Sequence, residues 1–425
     1  MRALYISHIG MSEPLGQSQV LPYLRGVAAS GVAIRILSFE KAGISADVIA
    51  AQRERMDADG LRWDPLVRSA GHGLGVKLVE SCVAVLRGLH VALAERPHVV
   101  HARSYLPAAV ADVIATTSPG SKLLFDCRGM LGDEYIDNGQ WTPDRLEYRL
   151  LKRFERRVFK RADGLVVLTR ALRGWLGDAG MLGGRTSVEV IPCCVDMKRF
   201  VPSAASRHDA RRELGIGERV ALVYSGSLGS WYLEEEMARY ASHLRRAVRA
   251  TGRELVVVVL SPSDPSVFEA KLAAAGFGAG DVVVRNVAPA RMASLLTAGD
   301  VGVSFIQSCF SKKGSSPTKV AEYLASGLVV TLNGDIGDQA DLGAEQDACV
   351  VLASYADDAL ADAARRALAL ADRPYEARAE ATSRVARRHF GLAEVGIPAY
   401  VRLYESLSSA RPAADARSGR PARDG

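Results

Sequence analysis

The six cysteines of this 425-residue chain lack metal-ligand spacing: Cys193 and Cys194 are adjacent and the others are scattered. Reduced thiols in a cytoplasmic protein are the reading that fits. The chain also lacks an apolar run long enough to cross a bilayer, and the opening MRALYISHIG is a strand-length run without signal-peptide organisation. There is no nucleic-acid motif and no basic run interleaved with aromatics, because the Arg and Lys residues are spread through amphipathic helices. Nucleic acid is therefore not an expected partner. No short solenoid period is visible. The Asp-x-Asp at Asp57-Ala58-Asp59 follows a helical stretch rather than a strand, so no metal site is expected.

What is present is bulk and positive charge. The length exceeds what one hydrophobic core fills, and 48% apolar residues suffice for two. A net charge of +6 suits anionic ligands or an anionic membrane surface. Short apolar runs alternate with helical patterns: ALYIS, VAIRILSF, HVVHA, KLLFDC and GLVVLT, then a second series RVALVYSGS, ELVVVVL, DVVVRNV, DVGVSFI, LVVTLN and ACVVLA. This α/β alternation predicts two parallel sheets wrapped by helices, that is, two Rossmann-like doubly wound domains facing across a cleft. The periodicity lapses in a proline- and serine-bearing stretch, which places a linker at about residues 195 to 208. Ligands of such folds bind at the carboxyl ends of the strands.

Two stretches point to that cleft. In PTKVAEYLASG, residues 317 to 327, proline suits a first helical position and glycine a cap beyond the last turn. Val320, Ala321, Leu324 and Ala325 form the buried face. Thr318 and Lys319 then lie on a first turn whose amides, hydroxyl and ammonium can converge on a diphosphate. Glu322, one turn on, can accept from two vicinal hydroxyls of a ribose. The plain alternative is a helical Lys319–Glu322 pair. In RVALVYSG the strand runs into Gly226-Ser227-Leu228-Gly229 and a helix, a turn that offers amides to an anion, or is an ordinary βα connection. Glu234, Glu235 and Glu236 read as solvated partners of the helix dipole.

The stretch SPTKVAEYLASGLVV resembles the nucleotide-sugar signature of the retaining glycosyltransferases of family four, which have the GT-B fold. GQSQVLPYLRGVAASGVAIRILSFEK, VVHARSYLPA, RFERRVFKRADGLVVLTRAL and VEVIPCCVDMKRF are similar to further segments of that family, in its order, over roughly residues 1 to 400. The resemblance implies a first, acceptor-side domain over 1–200, a nucleotide-sugar-binding domain over 201–385 and a helix over 386–408 returning to the first domain; the tail over 409–425, rich in Ala, Arg, Pro and Gly, reads as disordered. It implies transfer of a hexose-class sugar from a nucleoside diphosphate sugar to a glycan or lipid-linked acceptor, with retention of configuration and no metal or other cofactor. Rivals are a sugar-nucleotide epimerase and a non-catalytic nucleotide-sugar-binding partner of another transferase.

Residue by residue, Glu322 falls on the second glutamate of the family's Glu-x7-Glu motif, while the first falls on Gly314 and is missing. The Arg and Lys that many members place after the first strand of the second domain are also missing, so Ser316, Thr318 and Lys319, with Gly226 and Ser227, are the expected donor-binding set. Gly16 allows close approach to the donor, or serves a plain helix-capping loop. In LLFDCRGMLGDEYIDNGQW the family histidine position is Asp126. Asp126 and Arg128 are expected in catalysis beside Lys319, or as an ion pair bracing a loop. His101, Arg103 and Glu134 are expected near the acceptor or sugar.

One helix, RLEYRLLKRFERRVFKRADG, is heavily basic through Arg145, Arg149, Lys152, Arg153, Arg156, Arg157, Lys160 and Arg161. Leu146, Leu150, Leu151, Phe154, Val158 and Phe159 are its apolar stripe. The basic face is either solvated or set against anionic headgroups of the inner face of the plasma membrane.

Overall fold

The computed structural model describes residues 1–69, 73–229 and 231–409. Among these, seven strands form one parallel sheet in the order β3-β2-β1-β4-β5-β6-β7. They are β1 (Arg2–Ser7), β2 (Ala33–Glu40), β3 (Leu61–Val67), β4 (Val99–Arg103), β5 (Lys122–Asp126), β6 (Gly164–Val167) and β7 (Ser187–Val190). Six more form a second parallel sheet in the order β10-β9-β8-β11-β12-β13. These are β8 (Val220–Ser225), β9 (Leu255–Leu260), β10 (Val282–Arg285), β11 (Val301–Ser304), β12 (Val329–Asn333) and β13 (Cys349–Leu352). Each sheet has apolar clusters of helices and strands on both faces. That arrangement explains the unbroken Val/Leu runs.

Both strands that the apolar patterning does not announce lie at the edges of the first sheet. β3 contains Pro65, which an edge strand tolerates because one side of its backbone is unpaired. β7 is four residues long and only partly buried, so it lacks a core signature. The stretch expected as linker to residue 208 is already helical from Ala204, because Ser203 and Ser206 form a capping box. The tail expected from residue 409 lies outside the described residues beyond 409.

The chain crosses back at its end. Val195 and Phe390–Leu392 exchange backbone hydrogen bonds of 2.8 and 3.0 Å, and the helix Ile397–Ser409 then packs Tyr400, Leu403, Tyr404 and Leu407 into the first domain's core.

Strand order reverses between β1 and β4 and between β8 and β11. Register sets Ser7, Arg103 and Asp126 side by side at the carboxyl edge of the first sheet. The second sheet presents the turn after β8 to the same space. The loop after β1 is pinned by the buried Glu40, which accepts from the amides of Met11 (2.6 Å) and Ser12 (3.2 Å).

Candidate active site

A cavity of about 320 Å³ lies between the domains. Arg103 and Arg128 line it from the first domain, Tyr232, Lys312, Ser316 and Thr318 from the second. Sequence reasoning singled out four of these: Arg103, Arg128, Ser316 and Thr318.

The second-domain wall is built by two turns. Gly226 has a φ of +100°, a conformation that an L side chain rarely adopts, and its amide donates to the Leu260 carbonyl at 2.9 Å. Ser227 is exposed, and its carbonyl accepts from the Tyr224 hydroxyl. Glu234 is not solvated as expected. It is 4% exposed, accepts from the Gly229 amide at 2.8 Å and from Lys271 at 3.2 Å, and so shapes the turn instead of bathing a dipole.

Helix Thr318–Ala325 follows the second turn, with Pro317 as its N-cap rather than its first residue. Lys319 is buried, and its Nζ lies 3.8 Å from the Tyr232 ring centroid and 4.0 Å from that of Tyr224, with no hydrogen-bond partner. Burial drives its pKa well below the usual lysine value, against a smaller opposing pull from Glu322. The ring faces favour the ammonium that burial penalises. Gly226 faces it: a Cβ there would sit 3.6 Å from Lys319 Nζ. Glu322 is half-buried, and burial pushes its pKa up to about 7 while Arg199 and Lys319 pull it down.

The first-domain wall is an ion network. Asp126 is fully buried and accepts from Arg103 Nη1 at 3.0 Å, from the Tyr400 hydroxyl at 2.9 Å and from Arg128 Nη1 at 3.4 Å. Burial raises its pKa, but Arg128 and Arg103 outweigh that and hold it below the usual carboxylate value. Asp126 thus stands behind the two arginines rather than at the cleft surface, a bracing position. His101 is also away from the cleft. Its Nδ1 lies 2.7 Å from the Tyr404 hydroxyl, and burial pushes its pKa down to about 4, leaving a neutral ring among Tyr5, Tyr400 and Tyr404. Both departures come from the returning helix, which covers the strand ends. Gly16 is buried for a packing reason: a Cβ there would come 2.1 Å from the Gly10 carbonyl oxygen.

The segment Phe310–Ser316 bridges the walls. Lys312 Nζ sits 3.6 Å from the Trp231 ring centroid and 3.4 Å from Glu134, and Ser311 donates its amide to Asp137 at 2.8 Å. Thr169 Oγ1 donates to the Lys313 carbonyl, and Cys193 donates its amide to Ser316 Oγ at 3.1 Å. Glu134 is therefore a tether of Lys312. The missing glutamate at 314 has a steric counterpart, since a Cβ on Gly314 would lie 2.9 Å from the buried Leu172 Cδ2 of the first domain. Among the described residues no cluster of three or more His, Cys, Asp or Glu could hold a metal.

Tyr224 and Tyr400 were missed by sequence reasoning. Tyr224 is one aromatic in an apolar strand, and Tyr400 meets Asp126 across 274 positions, so neither has a local signal.

Two parallel-sheet domains, a cation-lined cleft at their strand ends and a last helix returned to the first domain define the GT-B class of glycosyltransferase fold. Within that class, residues 16–194 match the glycosyl transferase 4-like domain family. No curated protein sequence matches the chain. Among solved structures it resembles HepE of Anabaena in complex with UDP-glucose (13% identity, 96% of this chain and 100% of that one, TM-score 0.69). It also resembles sucrose-phosphate synthase of Thermosynechococcus elongatus (16%, 97% and 100%, 0.67). A third is WaaG, a glycosyltransferase involved in lipopolysaccharide biosynthesis (17%, 91% and 95%, 0.60).

Proposed function

We infer that this chain transfers a sugar, with retention of configuration, from a nucleoside diphosphate sugar to an acceptor hydroxyl during synthesis of a cell-surface polysaccharide, glycolipid or other glycoconjugate. The observation that carries the donor half is Lys319. A buried lysine without a hydrogen-bond partner, set against the glycine turn at Gly226 and next in sequence to Thr318, which lines the cavity with Ser316, lacks only an anion. The negative charge that develops on a leaving diphosphate supplies one and makes the ammonium the favoured form. Glu322 takes the ribose, and Arg128 faces the sugar from the other wall. HepE in its complex with UDP-glucose lends support to a donor of this class. Transfer uses no metal, the diphosphate being met by Lys319 and backbone amides.

Thermal-shift measurements with a panel of nucleoside diphosphates test the donor half, since a ligand of the native state raises its melting temperature. At least one should raise it, and none doing so overturns the reading. With that donor, the anomeric configuration of the product followed by NMR tests retention, and transfer undiminished by EDTA tests metal independence. Donor turnover without an acceptor would identify an epimerase. Nucleotide binding without turnover would identify a non-catalytic partner.

A membrane location has its own support. No helix among the described residues is long and apolar enough to cross a bilayer. The basic helix Leu146–Arg161 differs from expectation in two ways. Lys152 turns inward to Asp133 (2.8 Å), whereas Leu146 and Leu150 are exposed beside Arg149 and Arg153. On the same sheet face the helix Leu74–Glu95 exposes Leu78, Val79, Leu86 (69%) and Leu93 (80%). An apolar stripe flanked by cations fits an anionic bilayer surface, where each cation contributes about 1 kcal/mol. Co-sedimentation with vesicles containing an anionic lipid is expected, weakened by salt and abolished in Leu86→Asp/Leu93→Asp. Absence of sedimentation would make the acceptor a soluble one.

A further inference from the structure

We propose that the cleft is built for a sugar or acceptor bearing an oxyanion, a carboxylate or a phosphate, bound by Arg128 and Arg103 on the first-domain wall. The proposal rests on the donor reading above and names the chemistry of the group that faces the donor across the cavity.

Charge accounting across the cavity motivates it. On the second-domain wall Lys312 is matched by Glu134, and Lys319, the helix start at Thr318 and the nearby hydroxyls are set to meet a diphosphate. On the first-domain wall one carboxylate, Asp126, serves two guanidiniums. That leaves one positive charge in surplus, on the side away from the diphosphate.

The two arginines also keep open donors, although Arg103 reaches the Tyr5 hydroxyl as well as Asp126. Arg103 has a side chain 5% exposed, lines the cavity, and has an Nε that finds no acceptor. Arg128 has five N–H donors, yet its hydrogen bonds are to Asp126 Oδ1 at 3.4 Å, long for an oxygen acceptor, and to the weak acceptor Cys193 Sγ at 3.4 Å. A buried guanidinium with open donors and surplus charge is costly unless an anion completes it. Its planar fork matches a carboxylate or phosphate in bidentate fashion, whereas a neutral hexose hydroxyl would leave the charge unmatched. Tyr400, by holding Asp126 from behind, keeps the pair aimed at the cavity.

Calorimetric titration of the full chain with UDP, UDP-glucose and UDP-glucuronate distinguishes a donor-borne anion from an acceptor-borne one. If the donor sugar carries it, UDP-glucuronate binds wild type at least about tenfold tighter than UDP-glucose. Arg128→Gln then erases that preference while affinity for UDP stays within twofold. If the acceptor carries it, the two donors bind alike, and inorganic phosphate or glucose 1-phosphate binds saturably to UDP-saturated wild type but not to Arg128→Gln. Arg128→Lys, which keeps the charge and loses the fork, should fall between. Melting temperatures verify that the variants fold. The proposal is overturned if neither sugar nucleotide nor phosphate discriminates wild type from Arg128→Gln. It is equally overturned if the variant loses affinity for UDP as much as for the other ligands, for then Arg128 is simply a diphosphate ligand. Phosphate titrated without nucleotide reads the arginine pair even if UDP itself fails to bind, which separates this proposal from the donor reading.

Discussion

The two walls of the cleft solve the problem of buried charge in opposite ways. The first-domain wall pairs its charges: Asp126 is held between Arg103, Arg128 and the hydroxyl of Tyr400. The second-domain wall leaves its central cation without an ionic or hydrogen-bonding partner, caged by Tyr224 and Tyr232. A network anchored on one buried carboxylate rigidifies a wall even with one cation in surplus, because removing that carboxylate strands both arginines. A caged lysine stores binding capacity, because its charged form is completed only by what arrives. The contrast gives one wall a braced arginine pair and the other a lysine with no hydrogen-bonding partner.

The largest effect that would break this contrast is in Lys319→Ala. If the lysine acts on the leaving diphosphate, turnover should fall about 10²–10³-fold, the loss typical of one preorganised donor, with melting temperature unchanged or higher. Steady-state rates and a thermal melt measure both. A parallel loss of stability would show that the lysine belongs to a structural network after all.

Tyr400→Phe tests the other wall. Deleting a hydrogen bond to a buried carboxylate should cost about 1.5–3 kcal/mol of stability by denaturant titration. Nucleotide affinity should change little, since the second domain is untouched. A variant as stable as wild type would remove the returning helix from the network.

Glu322 sharpens the comparison through pH. Its folded pKa of about 7 lies above the ordinary 4.5, so the fold favours the protonated form. The stability this gives is complete below pH 4.5 and is lost as pH rises through 7. Nucleoside diphosphate binding should move oppositely, strengthening from pH 6 to 8 as the carboxylate that grips the ribose forms. Glu322→Gln should flatten both slopes and weaken binding by about 1–3 kcal/mol. Slopes that persist in the variant would place the titrating group elsewhere.

The smallest expected change is in Gly314→Ala, which forces a methyl against Leu172 where the walls touch. A loss of about 1 kcal/mol is expected, at the lower end for overpacking. A neutral result would mean that the walls separate easily at this point.

Within single elements the sequence was a sufficient guide. Every strand of the second sheet appears where an apolar run announced it, and the buried side of Thr318–Ala325 includes Val320, Ala321, Leu324 and Ala325 as spaced, together with Lys319 and Tyr323. Periodicity and apolar runs are local properties, fixed by a few neighbouring residues and the burial of one face or both. The edge strands β3 and β7 escaped because half-paired strands need no apolar signature. Tertiary structure alone decided which charges face the cleft. Asp126, at a strand end, reads as a catalytic carboxylate until Tyr400, from a helix 274 positions away, covers it. Gly314 reads as a lost glutamate until Leu172 of the other domain occupies that space. Lys319 reads as one partner of a helical pair until two tyrosine rings take its ammonium. In each case the deciding contact is long-range, and burial by a distant element, which sets the cost of a charge, leaves no mark on the residues beside it.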